Sequence, residues 1–156
     1  MKAVLMVVGK TTDKHLTALI DDYASRLRHY LPFDIEVVPD VKGVGTAATQ
    51  VREAEGAALL ARFAPSDRVI LLDEHGDTLS SRGFASFVEK RMAMGGKRIV
   101  FVVGGATGFA PAVKQRADDT LSLSLMTMTH QMVRLFFVEQ LYRAMTILRG
   151  ESYHND

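Results

Sequence analysis

The 156-residue chain contains no cysteine. Disulfides, thiolate-bound metal and a thiol nucleophile are thereby excluded, and a reducing, cytoplasmic setting is expected. Long apolar runs are missing as well: none reaches the roughly 18 residues of a membrane span. The opening run Ala3-Val-Leu-Met-Val-Val8 stops at Gly9-Lys10, too short for a secretory signal, and reads as a first strand. Neither charge dominates, with 19 Lys+Arg against 18 Asp+Glu and a formal net charge of +1. Binding of nucleic acid then requires basic residues gathered on one surface, not a basic total. A Walker A loop is absent, and residues 104 to 108, Gly-Gly-Ala-Thr-Gly, do not meet the dinucleotide fingerprint. Val8-Gly9-Lys10 supplies none of the acidic residues a phospho-acceptor domain carries after its first strand. No histidine pair has metal-ligand spacing with a carboxylate, so no metal is expected. Repeats, low-complexity tracts and an inter-domain linker are also lacking, which makes residues 1–156 one domain.

What is present is a regular alternation of short dry runs with longer amphipathic ones. Strands are expected at Lys2–Val8, Asp34–Val38, Arg68–Asp73 and Arg98–Val103. Leu121, Leu123 and Leu125 alternate with Ser122 and Ser124, giving a fifth strand over 120–125 with one wet face. Helices are expected from Thr12 or Asp13 to Tyr30, from Ala47 to Ala64, over 82–94, briefly after Pro111, and from His130 to Arg149. The stretch 40–46, with Lys42, Gly43 and Gly45, is the candidate mobile loop. Strands alternating with helices specify an α/β class: a parallel-type sheet with helices on both faces. The last helix is apolar nearly all round, so more than one side of it must be covered. A neighbouring helix or a second copy of the chain, a homodimer, can do this.

Ile99 to Val103, five β-branched or aromatic residues, run into Gly104-Gly105 with Gly108 following. Such a corner is either a tight turn or a place where bare backbone approaches a ligand beyond the strand ends. His130 heads the last helix and reads as a capping or packing residue or as a functional one. On that helix Arg134, Glu139 and Arg143 are polar in apolar company. Glu139 and Arg143, four apart, share a face. They form an ordinary ion pair, or they present a fixed cation to an anionic oxygen.

Three pieces taken together carry a resemblance: Leu71-Leu72-Asp73-x-x-Gly76, Val103-Gly104-Gly105-x-x-Gly108, and Leu121-Ser-Leu-Ser-Leu-Met-Thr-Met-Thr-His130-Gln-Met-Val-Arg134 leading to Glu139-Gln-Leu-Tyr142-Arg143 and Tyr153-His154. The chain resembles the bacterial 23S ribosomal RNA pseudouridine N3-methyltransferases (RlmH family) of the SPOUT class. The resemblance implies an α/β knot with a C-terminal trefoil and a homodimer with the last helix in its interface. It also implies S-adenosylmethionine as cofactor, held at Leu72, at Gly104 and Gly105, and at Leu123, Ser124, Leu125, Met126, Thr127 and Met128. The reaction implied is methylation of N3 of a pseudouridine in 23S rRNA, within the large subunit or the assembled ribosome. Arg143 and His154 are then the catalytic candidates, and His130, Arg134, Glu139 and Tyr153 the substrate-binding ones. RNA phosphates would meet residues among Lys10, Lys14, Arg82, Arg91 and Arg134. Thr129 departs from the resemblance, since relatives often carry proline there. A transfer RNA substrate, or a ribosome-binding module of the same fold without catalysis, are the alternative readings; no membrane or metal partner is implied.

Overall fold

A computed structural model describes residues 1–41, 45 and 47–156; most of the expected 40–46 loop lies outside the described residues. The elements run β1 (Lys2–Val8), α1 (Lys14–Leu27), β2 (Phe33–Val38), α2 (Ala48–Leu60), β3 (Arg68–Thr78), α3 (Ser81–Ala93), β4 (Arg98–Val103), α4 (Pro111–Arg116), β5 (Asp119–Ser122) and α5 (Met132–Leu148). The five strands form one sheet in the order β2-β1-β4-β3-β5, and every pairing is parallel.

The dry runs are dry because both faces of the central strands are covered. Ala3, Leu5 and Val7 of β1, Ile99, Phe101 and Val103 of β4, and Ile70 and Leu72 of β3 point to one core, shared with Ile20, Leu27, Phe84, Val88, Phe137 and Leu141. That face therefore carries α1, α3 and α5. The intervening residues Val4, Met6, Val69, Leu71, Val100 and Val102 point to a second core with Leu59 and Val113, so α2 and α4 cover the other face. Strands buried on both sides need no polar alternation. Asp13 caps α1, its Oδ1 accepting from His15 N at 2.8 Å and Leu16 N at 3.0 Å.

Two strand boundaries differ from the sequence-based expectation, for the same reason. β3 does not stop at Asp73. It loops out over 73–76 and rejoins β5, so that Leu121 is the partner of both Leu72 and Asp77. Gly76 makes this crossing possible: a Cβ there would stand 2.7 Å from the carbonyl groups of Thr120 and the backbone of Leu121. β5 in turn ends at Ser122 instead of Leu125. Ser122 Oγ donates to Ser124 O at 2.8 Å and Ser124 Oγ accepts from Met126 N at 2.9 Å, which turns the chain away from the sheet.

α5 begins at Met132, after the turn at Thr129. Thr129 Oγ1 accepts from Met132 N at 3.1 Å and Thr129 O from Val133 N at 3.1 Å, so threonine provides the turn into the helix that a proline would otherwise stiffen. The helix lies across α1 and α3, and Phe137, Val138, Leu141, Ala144 and Met145 are buried. Neighbouring helices of the same chain thus cover much of its apolar circumference. Met132 and Phe136, one turn apart, stay 47% and 37% exposed.

Candidate functional site

The carboxyl ends of β3, β4 and β5 converge, and a cleft of about 630 Å³ opens between the loops that follow them. Its size suits a small-molecule ligand or cofactor. From the β3 side come Leu72, Asp73, Glu74 and His75; from β4, Val103 and residues 104–109; from β5, Leu123, Ser124, Met126, Thr127, Met128, Thr129, His130 and Val133. All the residues expected to hold a cofactor line this cleft except Leu125, which is 83% exposed and lies off its wall. His130 lines it as well. The additional lining residues, Asp73 to His75, Ala106, Thr107, Phe109 and Val133, directly flank the expected ones. Sequence reasoning did not assign these to the site, although their proximity to the motif residues could have found them.

The loops are tied to each other. Thr127 Oγ1 donates to Glu74 Oε2 at 3.0 Å, joining the third loop to the first. His75 folds onto Asp73, whose Oδ1 accepts from His75 N and faces its Nδ1, both at 2.9 Å. The glycine corner has little spare room. A Cβ on Gly104 would meet the Phe109 ring at 3.0 Å, and one on Gly105 would meet the Glu55 carboxylate oxygens at 2.6 and 2.7 Å. Gly108 has φ +81°, a left-handed conformation. Among the described residues no cluster of histidine, cysteine, aspartate or glutamate could hold a metal ion.

A second polar group is built around α5. Arg143 Nη2 donates to Glu139 Oε1 at 2.6 Å, and Tyr153 OH donates to the same oxygen at 2.9 Å. The Arg143 guanidinium also lies 4.8 Å from the centre of the Tyr153 ring. Burial, reinforced by the Glu139 carboxylate, pushes the Tyr153 hydroxyl well above the ordinary tyrosine range. His154 Nδ1 faces Arg143 Nη1 at 3.1 Å, and its Nε2 faces Asp156 Oδ1 at 2.6 Å. Because Arg143 can only donate, Nδ1 is the acceptor and Nε2 carries the proton toward Asp156. Asp156 is held from the other side by Arg82 Nε at 2.5 Å. Neither Arg143 nor His154 lines the cleft of its own chain. Ten residues separate Val133 from Arg143, about 15 Å along the helix.

Arg134 is placed differently from the expectation that it meets RNA. It is 1% exposed. Its Nε donates to His130 O at 3.0 Å, Nη1 to Gly9 O at 2.8 Å and Thr11 Oγ1 at 3.1 Å, and Nη2 to Val8 O at 2.9 Å. With four of its five N–H donors held at the buried carboxyl end of β1 and the turn before α5, and the side chain itself buried, the guanidinium is closed to a phosphate. The other basic candidates divide: Arg91 is paired with Asp119 at 2.7 Å and lies over Phe87, Arg82 is engaged by Asp156, and Lys10 and Lys14 are exposed.

Comparison with known proteins identifies the family. The family model described as "Predicted SPOUT methyltransferase" matches residues 1–154. The chain is 51% identical to the ribosomal RNA large subunit methyltransferase H of Porphyromonas gingivalis, over the full length of both. It is 49% identical to the protein of the same name from Flavobacterium johnsoniae, over 99% of each chain, and 45% identical to that of Bacteroides thetaiotaomicron, again over the full length of both. With a family match that runs almost from end to end, on an all-parallel sheet whose strand ends open into one cleft, this chain belongs to the SPOUT methyltransferases, enzymes built on the knotted α/β fold.

Proposed function

We propose that this protein transfers the methyl group of S-adenosylmethionine to N3 of a pseudouridine in 23S rRNA of the large ribosomal subunit, and that it does so in the cytoplasm as a homodimer. The observation that carries the proposal is the cleft itself. Its volume, its apolar walls at Leu72, Val103, Leu123 and Val133, and its glycine corner suit an adenosine-bearing donor read by backbone groups. The names of the relatives, ribosomal RNA large subunit methyltransferases, support the choice of substrate. No helix among the described residues is long and apolar enough to cross a membrane.

When bound, the donor supplies an electrophilic methyl group on a sulfonium. The protein's own task is then to hold the uracil ring of pseudouridine and to make loss of its weakly acidic N3 proton easier. A fixed cation lowers the cost of the anion that forms as the proton leaves. Arg143 is that cation: Glu139 and Tyr153 fix its orientation, and one Nη faces His154. His154 and Tyr153 position the base, with the Tyr153 ring offering a stacking surface. In one chain this group stands apart from the cleft, so a partner chain must bring it there. Met132 and Phe136 on α5 and Leu79 beside α3 are the exposed apolar residues such a partner would cover.

Radiolabelled methyl transfer offered separately to naked 23S RNA, subunits and intact ribosomes, with the product nucleotide identified by mass spectrometry, tests the substrate. Arg143→Ala is expected to slow single-turnover methylation by at least a hundredfold while donor affinity stays within a few-fold. A rate within a few-fold of wild type would remove Arg143 from the chemistry.

A further inference from the structure

The helix on the far side of the glycine corner carries a group that the reaction above does not use. Glu55, in the middle of α2, is 7% exposed, and Oε1 has no hydrogen-bond partner among the described residues. Its carboxyl lies directly behind Gly105: the space that a side chain on Gly105 would occupy is filled by both of its oxygens, 2.6 and 2.7 Å from an ideal Cβ. Burial, with the negative field of Asp40 added, holds this carboxyl above the ordinary glutamate range.

The same face of α2 grips the same loop at a second point. Arg52, three residues earlier and hence on the same side of the helix, donates from Nε to Thr107 O at 2.9 Å. Thr107 Oγ1 is itself buried without a partner among the described residues. A third contact follows one residue on: Gly56 packs so closely on Ala110 that a Cβ there would stand 2.8 Å from the Ala110 side chain. Segment 104–110, one wall of the cleft, thus rests on Arg52, Glu55 and Gly56. Buried polar atoms without partners in a native fold call for an explanation. Here both touch the loop that faces the ligand, one behind it and one within it.

We propose that Glu55 is a positioning residue for the methyl donor: packed behind Gly105, its carboxyl sets where the 104–108 loop stands, and so where the backbone groups of that loop meet the donor. This rests on the reading of the cleft as the S-adenosylmethionine site. Gly105 is bare, on this account, because the Glu55 carboxyl needs its space, and the two positions must behave as a unit. Glu55→Ala lets the loop sink toward α2; Gly105→Ala pushes it off.

The test is a double-mutant cycle read by calorimetry with S-adenosylmethionine, with thermal unfolding of each variant alongside. Glu55→Ala is expected to weaken donor binding at least tenfold and to raise the donor KM with kcat within a few-fold. Glu55→Gln, neutral and of the same shape, restores binding to within threefold. Gly105→Ala weakens binding by a similar factor, and adding it to Glu55→Ala produces little further loss because the clash is gone. A merely structural role for Glu55 predicts a lower melting temperature with donor affinity unchanged, and that result overturns the proposal. So does a glutamine variant as weak as alanine, which would show that filling the space behind Gly105 is not what matters. If Glu55→Ala does not fold, Gly105→Ala decides, and wild-type donor affinity in that variant overturns the proposal. If the wild-type protein itself binds no S-adenosylmethionine, the reading of the cleft has failed and this inference falls with it.

Discussion

Replacing Arg134 by methionine is the sharpest probe of how the cleft is held together. The side chain is among the largest fully buried in the protein, and burial pulls its guanidinium below the ordinary arginine range, opposed only by the field of Asp40. It stays protonated at neutral pH, with its charge satisfied by four oxygens and no hydrogen-bonded carboxylate. Methionine fills much of the volume but leaves Val8 O, Gly9 O and His130 O without their donor. Hydrogen bonds to a charged group contribute about 1.5–3 kcal/mol each, and they are not additive within one network. Disrupting a buried charged network costs about 3–5 kcal/mol in comparable cases. That is the expected loss here, from a total of about 5–15 kcal/mol, and it lowers the melting temperature by roughly 6–20 °C in a chain of this length. Lysine recovers only part of it, because one ammonium cannot reach acceptors on both β1 and α5. Urea unfolding followed by circular dichroism at fixed protein concentration measures the loss. Filter binding of RNA across a salt series, run on the folded variant, should give the wild-type slope, since the group meets no phosphate. A loss under 1 kcal/mol, or a slope reduced by about one, would refute the reasoning.

At the crossing of β3 over β5, Gly76→Ala places a methyl 2.7 Å from backbone atoms that cannot step aside, so a loss of about 2–3 kcal/mol or more is expected by urea unfolding. Acid should act through Asp67. Burial alone would raise its carboxyl, but hydrogen bonds from Arg98 and from Ala64 N outweigh it and hold it below the ordinary aspartate range. A folded-state pKa below the unfolded value gives stability that is present above about pH 4 and lost as pH falls through the folded value. Asp67→Asn, measured by urea unfolding at pH 5 and pH 3, should therefore lose less stability between the two than wild type does. An equal loss would assign the acid limb to other carboxylates.

The α/β class and the corner at Gly104-Gly105 were legible because their causes are local. A strand covered on both faces must be apolar throughout, and Ile99 to Val103 is. The cap at Asp13 and the start of α4 at Pro111 need only their immediate neighbours. The polar run Glu74 to Thr78 could not be read as strand, because its partner is the backbone of Leu121 and Ser122, more than forty residues later. For Glu55, nothing in the amphipathic pattern distinguishes a carboxyl against a bare glycine from one in water; only the position of Gly105 does that.

Arg134 shows where local reading misleads. A cation amid apolar residues on a helix heading was correctly singled out, yet its partners are carbonyls 125 and 126 positions earlier in the chain. Those carbonyls explain why a charge is kept in the core. β1 ends in mid-sheet at Val8 and Gly9, whose oxygens accept from the Arg134 guanidinium, and α5 starts beside them. Gln131 makes the same join from one residue before the helix, accepting from Thr12 N at 3.0 Å and donating to Lys10 O at 3.1 Å. The start of α5 is therefore fixed to the first strand by two side chains. His130 and Val133 stand between and beside them on the cleft wall, and Arg143 and Glu139 follow on the same rigid helix. A helix anchored at its origin in this way holds the wall of the cleft and the cation at Arg143 in one fixed relation within the chain.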